Sequence, residues 1–380
     1  MNPFRIAQST ASDTRTAAQE FYTNVIQDDP SLVLFFCSNA YDLGILAEEI
    51  NQRFAGIPVM GCTSAGGFGS LAYGQPVLSG VSFARNACQV ICAYSDQLQT
   101  FGASHAHDLT ERLYHGLDAS VPGFATDNCV AFQLIDGLSK REEVVTRALQ
   151  GALGQIPLVG GSAGDDMCFN QTRVFCGGEF RSAVAVALIH TELPVFTFMT
   201  QHFVPTNDRL VVTEAESDRR IVRELNGFPA AEAYARCLGV EPQALDSALF
   251  AEYPVVVTIG SKHYVRSIQR VLPEGHLAFY CAIEEGVVLR VARNNDLLQN
   301  LSEMFVDIHA RVGIPGLVLG CECVMRKLES ERLGLTGAVQ DLLAANQALG
   351  FCTYGEQYRG VHINQTLTGI ALGLELKGGR

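Results

Sequence analysis

The chain has 380 residues, 48% of them hydrophobic and only 18% charged, with 36 Gly and 21 Phe; this excludes a disordered chain or a coiled coil and gives material for two or three domains. Asp and Glu outnumber Lys and Arg by 40 to 27, a formal charge of -13, so phosphate backbones and anionic lipid surfaces are repelled and neither nucleic acid nor membrane is an expected partner. The segment Met1 to Arg15 lacks the apolar stretch of a secretory signal, and no apolar run approaches the roughly 18 residues of a spanning helix, so the expected location is cytoplasmic.

Residues 1–28 read as an N-terminal helical extension. Ser31 to Gly61 then gives an apolar strand, a polar turn, a helix with Ile45, Leu46, Ile50 and Phe54 on one face, and Ile-Pro before a second strand that ends in a Gly-rich turn. A gapless shift of 99 residues lays this pattern on Val130 to Gly160, where Val144, Val145, Leu149 and Leu153 repeat the helical face. A further strand follows each copy, at Val77 to Ala84 and at Ser182 to Ile189. The segment Phe196 to Val312 differs: helices are expected at Asp218 to Leu225 and Pro229 to Cys237, a strand meander from Val255 to Val291, and a helix from Asp296 to Val312. A looser third copy closes the chain, with strands at Gly316 to Cys323, Gly350 to Glu356 and Thr366 to Leu374 and a helix at Gly337 to Leu349. The expected fold is therefore α/β, a two-domain chain of repeated strand-helix-strand-strand units with mixed sheets. The punctuation Asn226-Gly227-Phe228-Pro229 divides it into domains 29–226 and 227–376.

Most local motifs fail as chemistry. Gly67 to Ala72 fits a dinucleotide fingerprint by letter, but Tyr73-Gly74-Gln75-Pro76 cannot open the helix that would hold a pyrophosphate. The turns Gly61 to Gly66 and Gly160 to Gly164 could form anion-binding nests, and the tight-turn reading is preferred because such turns need Gly in any case. The cysteines show no paired zinc spacing, and Cys37, Cys62, Cys129, Cys281 and Cys352 sit in apolar runs as reduced, buried thiols. Cys62 or Cys352 as a nucleophile defines an enzymatic alternative with no base in sight, and Asp165-Asp166 reads as a solvated turn end rather than a cation site. Among the histidines, His105, His107 and His115 lie on a polar helix, whereas strand alternation puts His362, Asn364 and Thr366 on one face as a polar row. His202 stands near Phe198, Met199 and Phe203, which could wall a flat macrocycle.

Leu32 to Ser38 with Tyr41-Asp42, Ile57 to Gly66, Tyr264 to Ser267, and Tyr354-Gly-Glu356 through His362 to Thr366 together resemble the FIST sensory module, with its N and C halves, over Asp29 to Leu372. The resemblance implies a signal-input protein for a small ligand rather than an enzyme, with amino acids proposed as ligands for some members. Gln201 to Thr206, Val211 to Ala215 and Glu224 to Ala231 are similar to the branch described as haem-binding nitric-oxide sensors. That likeness implies haem b held through a histidine, nitric oxide as the gaseous signal, and output to a separate histidine kinase or cyclic-di-GMP enzyme, since these 380 residues hold no fused output region. A homodimer is left open. The order of expected iron ligands is His202, His362, His263, with Phe203 and Asn364 as supporting residues. Arg266 and Glu356, charges within apolar surroundings, are expected to meet a ligand carboxylate or each other.

Overall fold

The computed structural model describes residues 2–75, 77–260 and 262–375. It is mixed α/β and divides into two compact units. The first holds the described parts of Met1–Thr200, Leu301–His362 and Leu367–Arg380; the second holds Gln201–Asn300 with Ile363–Thr366, and the division falls inside a helix.

The first unit is one pattern written three times. The first copy runs β1 (Phe4–Ser9), α1 (Thr14–Val25), β2 (Pro30–Ser38), α2 (Leu43–Arg53), β3 (Val59–Ser64), a hairpin β4 (Gly67–Phe68) and β5 (Tyr73–Gln75), and β6 (Leu78–Ala84). The second runs β7 (Gln89–Ser95), α3 (Ala103–Ser120), β8 (Cys129–Ile135), α4 (Glu142–Leu153), β9 (Leu158–Ser162), the hairpin β10 (Val174–Cys176) and β11 (Glu179–Arg181), and β12 (Val184–His190). The third opens with β13 (Val195–Thr200), is interrupted by the second unit, and resumes after it. In each copy the first central strand is buried from end to end and pairs in parallel with the next, as β2 does with β3, because helices cover the outer face and other sheets the inner. Asp42 starts α2 by accepting from the Gly44 and Ile45 amides at 2.9 and 3.0 Å. The repeating unit is longer than the sequence pattern showed. Residues 1–28 are not only a helical extension: β1 pairs antiparallel with β6 from Phe4 opposite Phe83 to Ser9 opposite Leu78, and so belongs to the first copy.

The second unit carries β14 (Phe203–Glu216), β15 (Ile221–Leu225), β16 (Phe228–Pro229), α5 (Ala230–Leu238), α6 (Ser247–Glu252), β17 (Val255–Ile259), β18 (Lys262–Arg266), β19 (Ile268–Val271), β20 (Leu277–Phe279) and β21 (Val288–Asn294). Its antiparallel sheet has the order β18-β17-β21-β14-β15-β20-β19, with β16 on β15. Tyr234 of α5 and Phe250 of α6 sit in its core with Val222, Leu277 and Leu289. In place of the helix expected at Asp218 to Leu225, Ser217–Arg219 forms one 3-10 turn and Ile221–Leu225 is strand β15. Ile221, Val222 and Leu225 are buried, and their backbone is claimed by β14 on one side and β20 on the other. The third copy then continues through α7 (Leu297–Val312), β22 (Pro315–Cys323), α8 (Val324–Arg332), α9 (Thr336–Ala345), β23 (Ala348–Thr353), β24 (Glu356–Tyr358), β25 (Val361–Ile363) and β26 (Leu367–Gly373).

The three sheets of the first unit have the orders β1-β6-β2-β3-β10-β11, β7-β12-β8-β9-β24-β25 and β13-β26-β22-β23-β4-β5. Each hairpin thus leaves its own copy and completes another sheet, in a closed cycle: β4 pairs with β23, β10 with β3, and β24 with β9. Register fixes the equivalences. Gly61 lies opposite Phe35, Gly160 opposite Gln133 and Gly350 opposite Gly320, so Gly61 and Gly160 do occupy equivalent strand positions. A Cβ at these glycines would lie 2.6, 2.1 and 1.9 Å from the carbonyl oxygen of the facing residue, which is why no side chain is accommodated there. The gapless 99-residue shift fails at the first strand, where it would match Phe35 with Leu134. The path from the strand residue that faces the glycine to the next helix is one residue longer from Gln133 to Glu142 than from Phe35 to Leu43, and one residue of slip exchanges the faces of a strand.

Candidate functional site

The Gly-rich turns that end β3, β9 and β23 meet inside the first unit. Ala65 donates its amide to the Cys352 carbonyl at 2.9 Å, Cys352 to Gly66 at 2.7 Å, Gly164 to Thr63 at 3.0 Å and Ser162 to Gly355 at 2.9 Å. The amides that an anion nest would need are spent on backbone carbonyls, so these are tight turns. Asp165 is fully buried rather than a solvated turn end. Its carboxylate accepts from the amides of Phe169, Asn170 and Gln171 at 2.9, 2.7 and 2.8 Å and from the Tyr354 hydroxyl, while Phe169 stacks on Tyr354 with centroids 4.8 Å apart. Asp166 accepts from Ser38 Oγ at 2.7 Å and the Asn39 amide at 3.2 Å, so both carboxylates brace loops.

All twelve cysteines are free thiols. Burial pushes the Cys62 and Cys352 thiols well above the usual range, helped at Cys62 by Cys37 and at Cys352 by Glu322, and a neutral thiol with no exposed surface is a poor nucleophile. Among the described residues no group of three or more His, Cys, Asp or Glu side chains is arranged to hold a metal ion, and no helix is long and apolar enough to cross a membrane.

Polar groups gather instead along the third turn. Thr353 donates its hydroxyl to Glu356, which is fully buried. Gln357 donates from Nε2 to Ser162 Oγ at 2.8 Å and lies 3.2 Å from His362 Nδ1. Gln133, Gly160 and Gln357 form one row across three neighbouring strands, with the residue lacking a side chain in the middle. The side-chain oxygens of Gln133 and Gln357, and the Thr368 hydroxyl, are buried without hydrogen-bond partners. Orphaned polar atoms at this depth each cost on the order of 1–3 kcal/mol and mark places where a ligand or ordered water completes the shell.

The polar row expected at His362, Asn364 and Thr366 does not form as one strand face. β25 stops at Ile363 and Gln365 takes φ +53°, so the alternation breaks; His362 belongs to the first unit, whereas Asn364 and Thr366 belong to the second. Within the second unit, Asn364 Oδ1, Gln365 Oε1 and Ser267 Oγ are buried and without partners, and Gln365 reaches α6 through the Ala251 carbonyl at 3.4 Å. Arg266, one residue before Ser267, is half-buried and donates to the Val265 carbonyl at 3.3 Å.

His202 is 3% exposed, its ring centroid 4.4 Å from that of Phe203, and its carbonyl accepts from the Asn295 amide at 2.7 Å. Phe203 packs with Val256, Val265 and Ala292, so the ring beside this imidazole belongs to an apolar patch of the second unit. Phe198 and Met199 lie on β13 of the first unit, where the Phe198 ring covers Gly369. His263 stands half-buried on the β17–β18 hairpin with Nδ1 3.0 Å from Thr258 Oγ1.

One buried group was not singled out in the sequence. Glu322 and Arg326, four residues apart where β22 enters α8, pair at 3.4 Å with almost no exposure, and burial raises the Glu322 carboxyl above its ordinary range. The signal was there: Glu322 is a charge inside an otherwise apolar strand, and Arg326 follows within the first turn of the next helix, close enough to be its partner.

The chain is thus a triplicated α/β unit whose third copy is interrupted in sequence by a β-rich insertion, with buried polar clusters and buried thiols. Comparison with family models gives it a name: the FIST N domain matches residues 31–227 and the FIST C domain residues 230–359, and the chain belongs to the FIST family of sensory proteins. A search of curated proteins finds no match.

Proposed function

We propose that this chain is a cytoplasmic FIST sensor that holds haem b through His202 and reports nitric oxide to a separate histidine kinase or cyclic-di-GMP enzyme. The observation that carries the reading is His202 itself, a buried imidazole set against Phe203 in the apolar patch of Val256, Val265 and Ala292. What supports the reading is that a porphyrin needs a histidine and apolar walls; His202 supplies the imidazole, Phe203 an apolar ring beside it, and the Asn295 amide holds the backbone that carries it. When bound, haem supplies an iron centre at which a diatomic gas is recognised. The chain supplies the orienting ring and a setting from which water is excluded. His362 fits less well. Gln357 Nε2 lies 3.2 Å from its Nδ1 and also donates to Ser162 Oγ, a polar setting rather than the apolar wall a porphyrin needs.

Purified protein reconstituted with hemin should show a Soret band that His202→Ala loses and His362→Ala keeps, with folding checked by circular dichroism. A wild-type protein unchanged by hemin removes haem from the reading; a His202→Ala protein with full haem content removes the ligand assignment.

A second reading, a small polar ligand such as an amino acid, is favoured by the orphaned atoms of Asn364, Gln365 and Ser267 in the second unit. Amino acids screened by thermal shift should then stabilise the wild type and leave Asn364→Leu unmoved.

A further inference from the structure

The threefold repeat places three equivalent clefts in the first unit, each between the hairpin side of one sheet and the leading strand of another. In register, Phe175 and Phe68 stand opposite Gly61 and Gly350 as Gln357 stands opposite Gly160, so Cys176, Gly69 and Tyr358 are equivalent, as are Gly177 and Arg359. On the facing strands, Cys92 of β7 corresponds to Thr197 of β13.

Two of the clefts are filled. In one, Tyr358 donates its hydroxyl to the Thr197 carbonyl at 3.4 Å and Arg359 donates to Thr197 Oγ1 at 3.3 Å. In another, the Gln8 side chain lies against Gly69, 2.7 Å from where a Cβ would stand, and accepts from the Leu71 amide at 2.8 Å. In the third, a thiol and a hydrogen stand where Tyr358 and Arg359 close the first. What remains is a cavity of about 390 Å³ open at one end, within the usual size of small-molecule sites. Ile50, Phe54, Met60 and Phe175 supply its apolar walls, and Asn51 at the mouth donates to the Gly178 carbonyl at 2.8 Å.

We propose that this cleft, bounded by α2, β3, the β10–β11 turn and β7, is a binding site for a neutral, predominantly apolar small molecule. None of its lining residues carries a charge at neutral pH, so a charged ligand would be buried without a partner. The Cys92 and Cys176 thiols are protonated there, each pushed up to about 12 by burial, and act as soft apolar surface. The turn that keeps the cleft open is built for it. Gly177 and Gly178 take φ of +59° and +82°, close to the +48° and +85° of Arg359 and Gly360, so the same turn conformation is kept while the side chains are removed.

The site is independent of the haem reading, and its test uses the full chain without added hemin. Titration with the neutral dye Nile red should show saturable one-to-one binding. The double substitution Cys176→Tyr with Gly177→Arg, which installs the residues of the closed cleft, should weaken it at least about tenfold. Asn51→Trp changes only an exposed mouth residue and should weaken binding too; it decides alone if the double variant loses its circular-dichroism spectrum. Absence of saturable binding to the wild type, or undiminished binding to folded variants, overturns the proposal.

Discussion

The two units of this chain build their interiors in different ways. In the first, repetition forces close approach: three glycines face three backbone carbonyls, and the turns that follow consume one another's amides. In the second, a single antiparallel sheet carries most of the structure, and side chains such as Tyr234 and Phe250 from its two helices fill the core. Geometry is therefore over-determined in the triplicated unit and less so in the insertion, and local stability should follow the same division.

The largest test concerns the buried pair of the triplicated unit. Arg326→Met leaves Glu322 buried and uncompensated and should cost about 3–5 kcal/mol in denaturant unfolding, most of it recovered by adding Glu322→Gln. The effect has a pH signature. The Glu322 carboxyl already sits above its ordinary 4.5 in the folded protein, and losing Arg326 raises it further. A raised carboxyl makes the folded state bind more protons than the unfolded one, so stability falls as pH climbs from 4.5 toward the folded value. The cost of Arg326→Met should thus be smallest at pH 4.5 and grow above it. A pH-independent loss would show that packing, not charge, is what Arg326 contributes.

Next in size, Gly160→Ala drives a methyl to within 2.1 Å of the Gln133 carbonyl and should destabilise by about 1–3 kcal/mol. Tyr234→Phe in the insertion removes the hydroxyl bonded to the Tyr253 carbonyl and should cost about 1 kcal/mol. If the units melt separately, each substitution moves only its own transition in a calorimetric scan. One shared transition moved by both would abolish the comparison.

The sequence carried the repeat because its central strands are continuous apolar runs with Gly at fixed spacing, features that depend on local packing alone. It did not carry the cycle of hairpins, since Tyr73 to Gln75 or Val174 to Cys176 read the same whether they pair with their own copy or another. The leading strands were invisible for a related reason: Phe4 to Ser9 and Val195 to Thr200 share a register, not a composition. Asp218 to Leu225 misled because charged residues at helical spacing hid three buried positions whose partners lie in distant strands. At the candidate sites, residue type pointed to His202 and Glu356. The orphaned oxygen of Gln133 could not be anticipated, because only the register with Gly160 and Gln357 sets it in that row.

The smallest effect uses two glycines of the same copy. Gly151 lies within α4, nine residues before Gly160, and a Cβ there meets nothing within 4 Å. An interior helical glycine costs about 0.5–1 kcal/mol relative to alanine, chiefly through the backbone freedom it gains on unfolding. Gly151→Ala should therefore stabilise the protein by up to about 1 kcal/mol, while the same substitution at Gly160 destabilises it. The two changes add one methyl each to one repeat and differ only in what the methyl meets, so opposite shifts in denaturation midpoint isolate the close strand approach as the constraint. If both substitutions destabilise, the α4 surface around Gly151 is occupied, and helix propensity does not set the sign there.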